Sequence, residues 1–82
     1  MNKIQQLANI NGLQTIKSIT KDELEELKLA IDSNVEEGII DELADVIITT
    51  QQLIHSMQIE SQVSKRVDYK IKRQFKRFGL EE

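Results

Sequence analysis

The chain has 82 residues, with 14 Asp and Glu against 11 Lys and Arg, and a formal net charge of −3 at pH 7. This length allows one small domain, which we place over residues 1–82. The absence of Cys excludes disulfides and thiolate metal sites. No apolar run approaches the ~18 residues that span a membrane. The N-terminus also lacks the layout of a secretory signal, so we expect a cytoplasmic protein without a membrane partner.

The composition favours helices throughout the chain. Pro is absent, Gly and aromatic residues are few, and Ile, Leu, Glu, Lys and Gln are abundant. A chain of this size buries only a modest core, so we expect it to form oligomers. Its charge is unevenly distributed: residues 22–45 hold ten acidic residues and one Lys, and residues 61–78 hold seven basic residues and one Asp.

The first two predicted helices fill the N-terminal part of the chain. The first runs from about Asn2 to Asn11, before a glycine that is a natural stop. The second runs from about residue 13 or 14 to Asp32, because apolar residues recur at helical spacing from Ile16 onward. A capping box formed by Thr20 and Glu23 would allow a later start, but the upstream apolar pattern favours the longer helix.

The third and fourth helices fill the rest of the chain. Asn34 and Glu37 can cap the third, whose apolar pattern continues to Met57. Ser61 can cap the fourth, and Gly79 ends it. The short connections predict an all-α helical bundle of three main helices plus a short N-terminal helix, completed by oligomerisation.

Two carboxylates interrupt an apolar segment of the third helix. The segment "IIDELADVII", residues 39–48, is otherwise typical of a buried helix, yet it carries Glu42 and Asp45 on nearly one face. Glu23 and Glu26 repeat this spacing on the second helix, and antiparallel packing of the two helices would bring both pairs to one level. Four partly buried charges would be costly without a cation, and oxygen ligands suit Mg²⁺. The alternative is a set of solvated surface acids paired with lysines.

The fourth helix carries the complementary charge. Lys70, Arg73 and Arg77 recur at three- and four-residue spacing and form one stripe. Beside a metal–carboxylate cluster this stripe would neutralise a polyphosphate. The alternatives are a solvated basic helix or a nucleic-acid contact surface. The scarcity of aromatic residues and the acidic centre weigh against nucleic acid.

These motifs resemble those of a known family. The stretches "DELEEL", residues 22–27, and "ELADV", residues 42–46, resemble the two signatures of the MazG-like all-α nucleoside triphosphate pyrophosphohydrolases, Glu-Glu-x-x-Glu and Glu-x-x-Asp. The basic stretch "YKIKRQFKRF", residues 69–78, resembles the last helix of these proteins. The similarity covers roughly residues 12–78, and the layout is that of the short, single-domain members of phages and bacteria.

The resemblance implies a reaction and a set of residues that perform it. It implies hydrolysis of an NTP or dNTP between the α and β phosphates, which gives a monophosphate and pyrophosphate. By this resemblance Glu23, Glu26, Glu42 and Asp45 hold Mg²⁺, for which Mn²⁺ is a substitute. Asp22 takes the first Glu position of the motif with a side chain one methylene shorter, and we include it with these four among the candidate catalytic residues.

The resemblance also implies substrate contacts and partners. Lys70 and Arg73 are the best candidates for phosphate binding, with Arg77 on the same stripe. The family forms dimers or tetramers whose active sites draw on neighbouring chains. The expected compartment is the cytoplasm, or the host cytoplasm for a phage protein. The competing interpretation is a non-catalytic helical module of the same fold that binds nucleotides or proteins.

Overall fold

The computed structural model describes residues 1–80, and this part of the chain contains helices and no strand. The all-α prediction is therefore confirmed for these residues. The predicted domain extends to Glu81 and Glu82, which lie outside the described residues. The helices are α1 (Lys3–Asn11), α2 (Leu13–Ser33), α3 (Glu36–Met57) and α4 (Glu60–Arg77). None of the helices in residues 1–80 is both long and apolar enough to cross a membrane.

α1 and α2 follow one another with a single residue between them. Asn2 caps α1: its side-chain oxygen accepts the Gln5 N–H at 2.8 Å, and the Gln5 side-chain oxygen accepts the Asn2 N–H at 3.1 Å. Gly12 then turns the chain with φ 80° and ψ 158°, a conformation that is essentially restricted to glycine. α2 begins at Leu13, which confirms the longer of the two predicted helices.

The turn between α2 and α3 differs from the prediction. Asn34 ends α2 instead of capping α3: it has φ 59° and ψ 30°, and its N–H donates to the Ala30 and Ile31 carbonyls. Asn tolerates this left-handed conformation, which closes a helix C-terminus. The residue before α3 is Val35, and no side chain caps that helix. The predicted cap formed by Asn34 and Glu37 was wrong.

The prediction for the start of α4 was also wrong. The helix begins at Glu60, one residue before the predicted cap Ser61. Gln58 adopts φ 58°, its N–H donates to the His55 carbonyl, and the N–H of the next residue donates to the Ile54 carbonyl. This C-terminal capping pattern reverses the chain so tightly that α4 starts directly after it. At the far end, Gly79 has φ 69° and donates its N–H to Lys76, as expected for a helix stop.

The interior lies between the first three helices. α2 and α3 form an antiparallel hairpin, and α1 packs mainly on α3. Ala8 and Ile16 are the fully buried apolar residues of residues 1–80, with 2% and 1% of their surface exposed. An interior with so few buried apolar residues is small even for a chain of this length.

Polar residues are also buried in this interior. Thr20, Thr49 and Gln52 are each less than 8% exposed. The Thr20 hydroxyl donates to the Ile16 carbonyl at 2.7 Å, and the Gln52 side-chain oxygen accepts from the Asn11 amide at 2.9 Å. Both hydrogen bonds reduce the cost of burying polar groups, and the Asn11–Gln52 bond also helps to fix the packing of α1 on α3.

The prediction that residues 39–48 are buried was wrong for most of the apolar residues in a single chain. α3 is apolar around much of its circumference, but α1 and α2 cover only part of it. Ile39 and Val46 are half-buried, whereas four others are 39–54% exposed. The exposed residues are Ile40, Leu43, Ile47 and Ile48.

α4 leaves the other helices. It contacts α3 alone, and no Cα of α4 lies within 8 Å of a Cα in α1 or α2. The radius of gyration is 15.3 Å, against about 12 Å for a compact domain of this length. α4 therefore projects from a three-helix unit made by α1, α2 and α3.

Candidate metal and phosphate site

The carboxylates of α2 and α3 converge at one level of the hairpin. One carboxylate oxygen each from Glu23, Glu26 and Glu42 can be chosen so that all lie within 4.8 Å of one another. Glu23 and Glu26 share a face of α2 because they are three residues apart. The turn at Asn34 sets the level, since Glu26 precedes it and Glu42 follows it by the same eight residues. We call Glu23, Glu26 and Glu42 the carboxylate cluster.

Two oxygens of the carboxylate cluster lack any partner. The Oε2 atoms of Glu23 and Glu42 have almost no accessible surface and no hydrogen-bond donor. A buried, unpaired carboxylate oxygen is unfavourable, so such an atom needs a proton, a donor or a cation. Hard oxygen donors this close together fit a small divalent cation.

The pKa values of the carboxylate cluster reflect the same crowding. The pKa of Glu23 is raised from 4.5 to about 7, mainly by burial and also by the negative charges of Glu26 and Asp45. Burial is also the largest cause of the raised pKa of Glu42, and the charges of Glu26 and Asp45 act in the same direction. The cluster therefore retains a proton near neutral pH unless a cation replaces it.

The other predicted carboxylates lie beside the cluster. Asp45 is exposed and stands about one turn along α3 from Glu42; it is outside the group within 4.8 Å, although its charge acts on Glu23. Asp22 is exposed on α2, and its side chain is also outside that group. Of the five predicted carboxylates, the structure brings three within 4.8 Å of one another and leaves Asp45 and Asp22 outside that group.

The predicted phosphate-binding residues lie apart from the carboxylates. Lys70, Arg73 and Arg77 are exposed on α4, and α4 does not contact α2. Within residues 1–80 no Lys or Arg nitrogen lies within 4.0 Å of a carboxylate oxygen. The ion pair found in this part of the chain joins His55 and Glu60 at 3.5 Å. The Arg73 guanidinium instead stands 5.8 Å from the centre of the Tyr69 ring.

A shallow cleft that the sequence does not predict lies at the other end of α3. The cleft has a volume of about 220 Å³ and lies between α1 and α3, with Glu60 at the start of α4 as part of its lining. Its walls mix side-chain amides with Ile4 and Ile54, and His55 faces it. No spacing in the sequence indicates this cleft, because it depends on how α1 crosses α3.

Comparison with known proteins identifies the family. No curated protein and no solved structure matches the chain. The family model that describes the MazG nucleotide pyrophosphohydrolase domain matches residues 11–78, which is most of the chain and includes both carboxylate pairs and all of α4 up to its cap. The chain belongs to the MazG nucleotide pyrophosphohydrolase domain family.

Proposed function

We propose that the protein hydrolyses a nucleoside or deoxynucleoside triphosphate between the α and β phosphates. Water adds across the bridging P–O bond, and the products are a nucleoside monophosphate and pyrophosphate. One observation carries the proposal: a chain of this family presents three carboxylates within 4.8 Å, two of which have buried, unpartnered oxygens. Such a site suits a cation better than a surface ion pair.

The proposed metal is Mg²⁺, for which Mn²⁺ can substitute. Glu23, Glu26 and Glu42 would hold it, and Asp45 would complete the set from its position at the edge of the cluster. The bound cation would supply neutralisation and polarisation of the phosphate oxygens. The carboxylates fix its position because they stand on two packed helices and not on a loop.

The remaining residues of the site would act on the substrate. Lys70, Arg73 and Arg77 would neutralise the charge that develops on the departing pyrophosphate. Asp22 lies next to Glu23 in sequence and is exposed on α2, and we propose that it helps to orient the attacking water. Nucleoside triphosphates are cytoplasmic metabolites, and we propose that the protein acts in that compartment.

We also propose that the protein works as a homo-oligomer, either a dimer or a tetramer. The apolar residues exposed on α3 and α4 are too many for a small isolated chain, since large contiguous apolar patches mark interaction sites. The second candidate function is a non-catalytic helical module that binds nucleotides or proteins. The observation that favours it is that α4, which carries the basic residues, does not contact α2, which carries Glu23 and Glu26.

The first experiment assays product formation directly. The protein is incubated with a panel of NTPs and dNTPs plus Mg²⁺, and pyrophosphate and monophosphate are measured separately. We expect equal amounts of the two products from at least one nucleotide, and none when a chelator is present. Nucleotide binding without any product would favour the non-catalytic module.

A pair of substitutions tests the cluster. We expect Glu42→Gln to lower kcat/KM by at least about 100-fold, because even residues that only support a metal ligand cost about 10–100-fold when changed. Glu25→Gln is the matched control, since Glu25 is exposed on α2 and lies outside the cluster. Equal activity of the two variants would show that the cluster does not hold the catalytic metal.

A further inference from the structure

We propose that the polar face of α4 binds single-stranded nucleic acid. This surface is separate from the carboxylate cluster, and the inference does not depend on the proposed hydrolysis of nucleotides. It rests on where the basic residues of α4 lie, on the aromatic ring among them and on the exposure of both. The partner follows from the chemistry of the surface, which offers cations for phosphates and an aromatic ring for bases.

The basic residues of the chain are concentrated on one face of one helix. Seven of the 11 Lys and Arg lie on α4, and the other four lie on α1 and α2. On a helical wheel these seven fall within about 160° of the circumference of α4, and we call this surface the basic face. The two acidic residues of α4, Glu60 and Asp68, lie outside this arc. The basic members of the face are Lys65, Arg66, Lys70, Lys72, Arg73, Lys76 and Arg77.

The charges of the basic face are exposed and have no counterion in this chain. Every residue of α4 from Ser64 to Arg77 is exposed. Within residues 1–80, Lys and Arg nitrogens all stay more than 4.0 Å from carboxylate oxygens. The basic face extends for about 18 Å along the helix axis, which is long enough to meet successive phosphates of one strand. Such a track of unpaired cations favours the binding of a polyanion.

Tyr69 lies in the middle of the basic face. It is 58% exposed, and the Arg73 guanidinium stands 5.8 Å from the centre of its ring. The guanidinium restrains the ring by a cation–π contact, and a ring with this exposure still has surface for another planar group. A base can stack on such a ring while the neighbouring phosphates meet the lysines. Because a duplex hides the faces of its bases, Tyr69 favours a single strand.

The apolar side of α4 points away from the basic face. Val67, Ile71 and Phe75 recur at helical spacing on that side, and each is 45–48% exposed. If α4 lay on a lipid bilayer by its apolar side, Lys65 and Lys76 would point away from the lipid head groups. A protein surface that covered the apolar side would also leave these lysines in water. The arrangement therefore favours a polyanion that approaches α4 from its polar side.

The acidic centre of the chain, which weighs against nucleic acid in the sequence, lies on other helices. The carboxylate cluster is on α2 and α3, whereas α4 contacts α3 alone and projects from the three-helix unit. A strand on the basic face therefore need not approach the cluster. The scarcity of aromatic residues has a different consequence, since Tyr69 alone offers a ring on this face. We expect strongly salt-dependent binding with little sequence preference.

The salt dependence of binding tests the cations. Fluorescence anisotropy of labelled oligothymidylate and oligouridylate is measured with the full chain over a range of NaCl concentrations. We expect both strands to bind at low salt, because the cations and the ring recognise phosphates and base faces, which DNA and RNA share. A triple variant changes Lys65, Lys72 and Lys76 to Gln and leaves the proposed substrate contacts intact. It should reduce the slope of log K against log salt concentration by about 2, since each phosphate contact contributes about 0.7.

A second triple variant is the matched control. It changes Lys17, Lys21 and Lys28 to Gln, which removes the same charge from exposed positions on α2. The control should keep the slope of the wild type, because its lysines lie outside the basic face. An equal reduction of the slope in both triple variants would overturn the proposal, since only the net charge of the chain would then matter. Failure of the wild type to bind either strand at low salt would also overturn it.

Substitution of Tyr69 tests whether the partner has bases. Tyr69→Ala should weaken binding of both strands by at least about 5-fold through lost stacking, without changing the salt slope. Tyr69→Phe keeps the ring and should bind as the wild type does. Vesicles of phosphatidylserine and phosphatidylcholine offer anionic groups without bases. Unchanged affinity of Tyr69→Ala, or tighter binding of the wild type to the vesicles than to the oligonucleotides, would overturn nucleic acid as the partner.

Discussion

The three-helix unit and α4 differ in how far their amphipathic helices are buried within one chain. The three-helix unit buries Ile16, which is 1% exposed, and it buries Thr20 and Gln52 with hydrogen bonds. α4 is equally amphipathic, yet no residue of it is buried in its own chain. The comparison teaches that helical periodicity indicates which face of a helix is to be buried, but it does not indicate which chain covers that face.

The charges divide along the same boundary. The three-helix unit carries the carboxylate cluster, in which burial and neighbouring negative charge raise the pKa values of Glu23 and Glu42, and α4 carries most of the basic residues. Neither region is electrostatically satisfied alone, because within residues 1–80 no Lys or Arg reaches a carboxylate. Association of two regions of opposite sign would relieve both at once.

The largest effect on stability should come from the interior of the three-helix unit. We expect Ile16→Ala to reduce the free energy of unfolding by about 2–5 kcal/mol, because it leaves a cavity at a fully buried position. The matched substitution Ile10→Ala, at a residue 80% exposed, should stay within about 0.5 kcal/mol of wild type. Urea denaturation of both variants measures the two values. Similar losses would mean that the three-helix unit is not the stable part of the molecule.

A pH dependence should arise in the carboxylate cluster. The pKa of Glu23 is raised from 4.5 to about 7 in the folded chain, so between these values the folded chain holds a proton that the unfolded chain has lost. The metal-free protein should therefore lose stability as the pH rises from about 4.5 to about 7. Glu23→Gln, which mimics the protonated acid, should flatten this part of the curve, whereas Glu25→Gln should not.

Stabilisation by metal should increase over the same pH range in which the metal-free protein loses stability. Because a cation must replace the proton of the cluster, Mn²⁺ or Mg²⁺ should raise the melting temperature more at pH 8 than at pH 5. Thermal melts of wild type and Glu23→Gln, each with and without metal, measure this difference. A metal effect that is the same at both pH values, or that survives Glu23→Gln unchanged, would contradict a cation at the cluster.

Much of the fold was predictable because it depends on local pattern. Helical spacing predicted four helices, and the equal distance of Glu26 and Glu42 from the α2–α3 turn predicted that acidic side chains of both helices would face each other. The capping predictions at Asn34 and Ser61 failed because the left-handed residues Asn34 and Gln58 end α2 and α3. The next residues, Val35 and Ile59, then occupy the N-cap positions, and their apolar side chains make no capping hydrogen bond. Sequence alone indicates a residue able to cap a helix, but not which helix end it serves.

The prediction for the site was limited by tertiary structure in a different way. Spacing along one helix relates residues on that helix, so it put Asp45 on the same face as Glu42, yet the approach of α2 decides which oxygens come within 4.8 Å. The relation of Lys70 and Arg73 to that cluster depends on the direction of α4, which the Gln58 turn determines. Neither the helix approach nor the turn direction has a signature in the residue pattern.

The smallest effects on the free energy of unfolding should come from Gly→Ala substitutions, made separately in the three-helix unit and at the end of α4. Gly12 and Gly79 both have positive φ, and an added Cβ would meet nothing within 4 Å at either, so alanine brings backbone strain alone. Gly12→Ala should cost about 1–3 kcal/mol because α1 must keep its position on α3. Gly79→Ala should cost less than about 0.5 kcal/mol, because strain at the end of α4 can be relieved by fraying of a last turn that packs on nothing in its own chain. Thermal melts at low protein concentration measure both, and equal costs would show that α4 is integrated into the fold of its own chain.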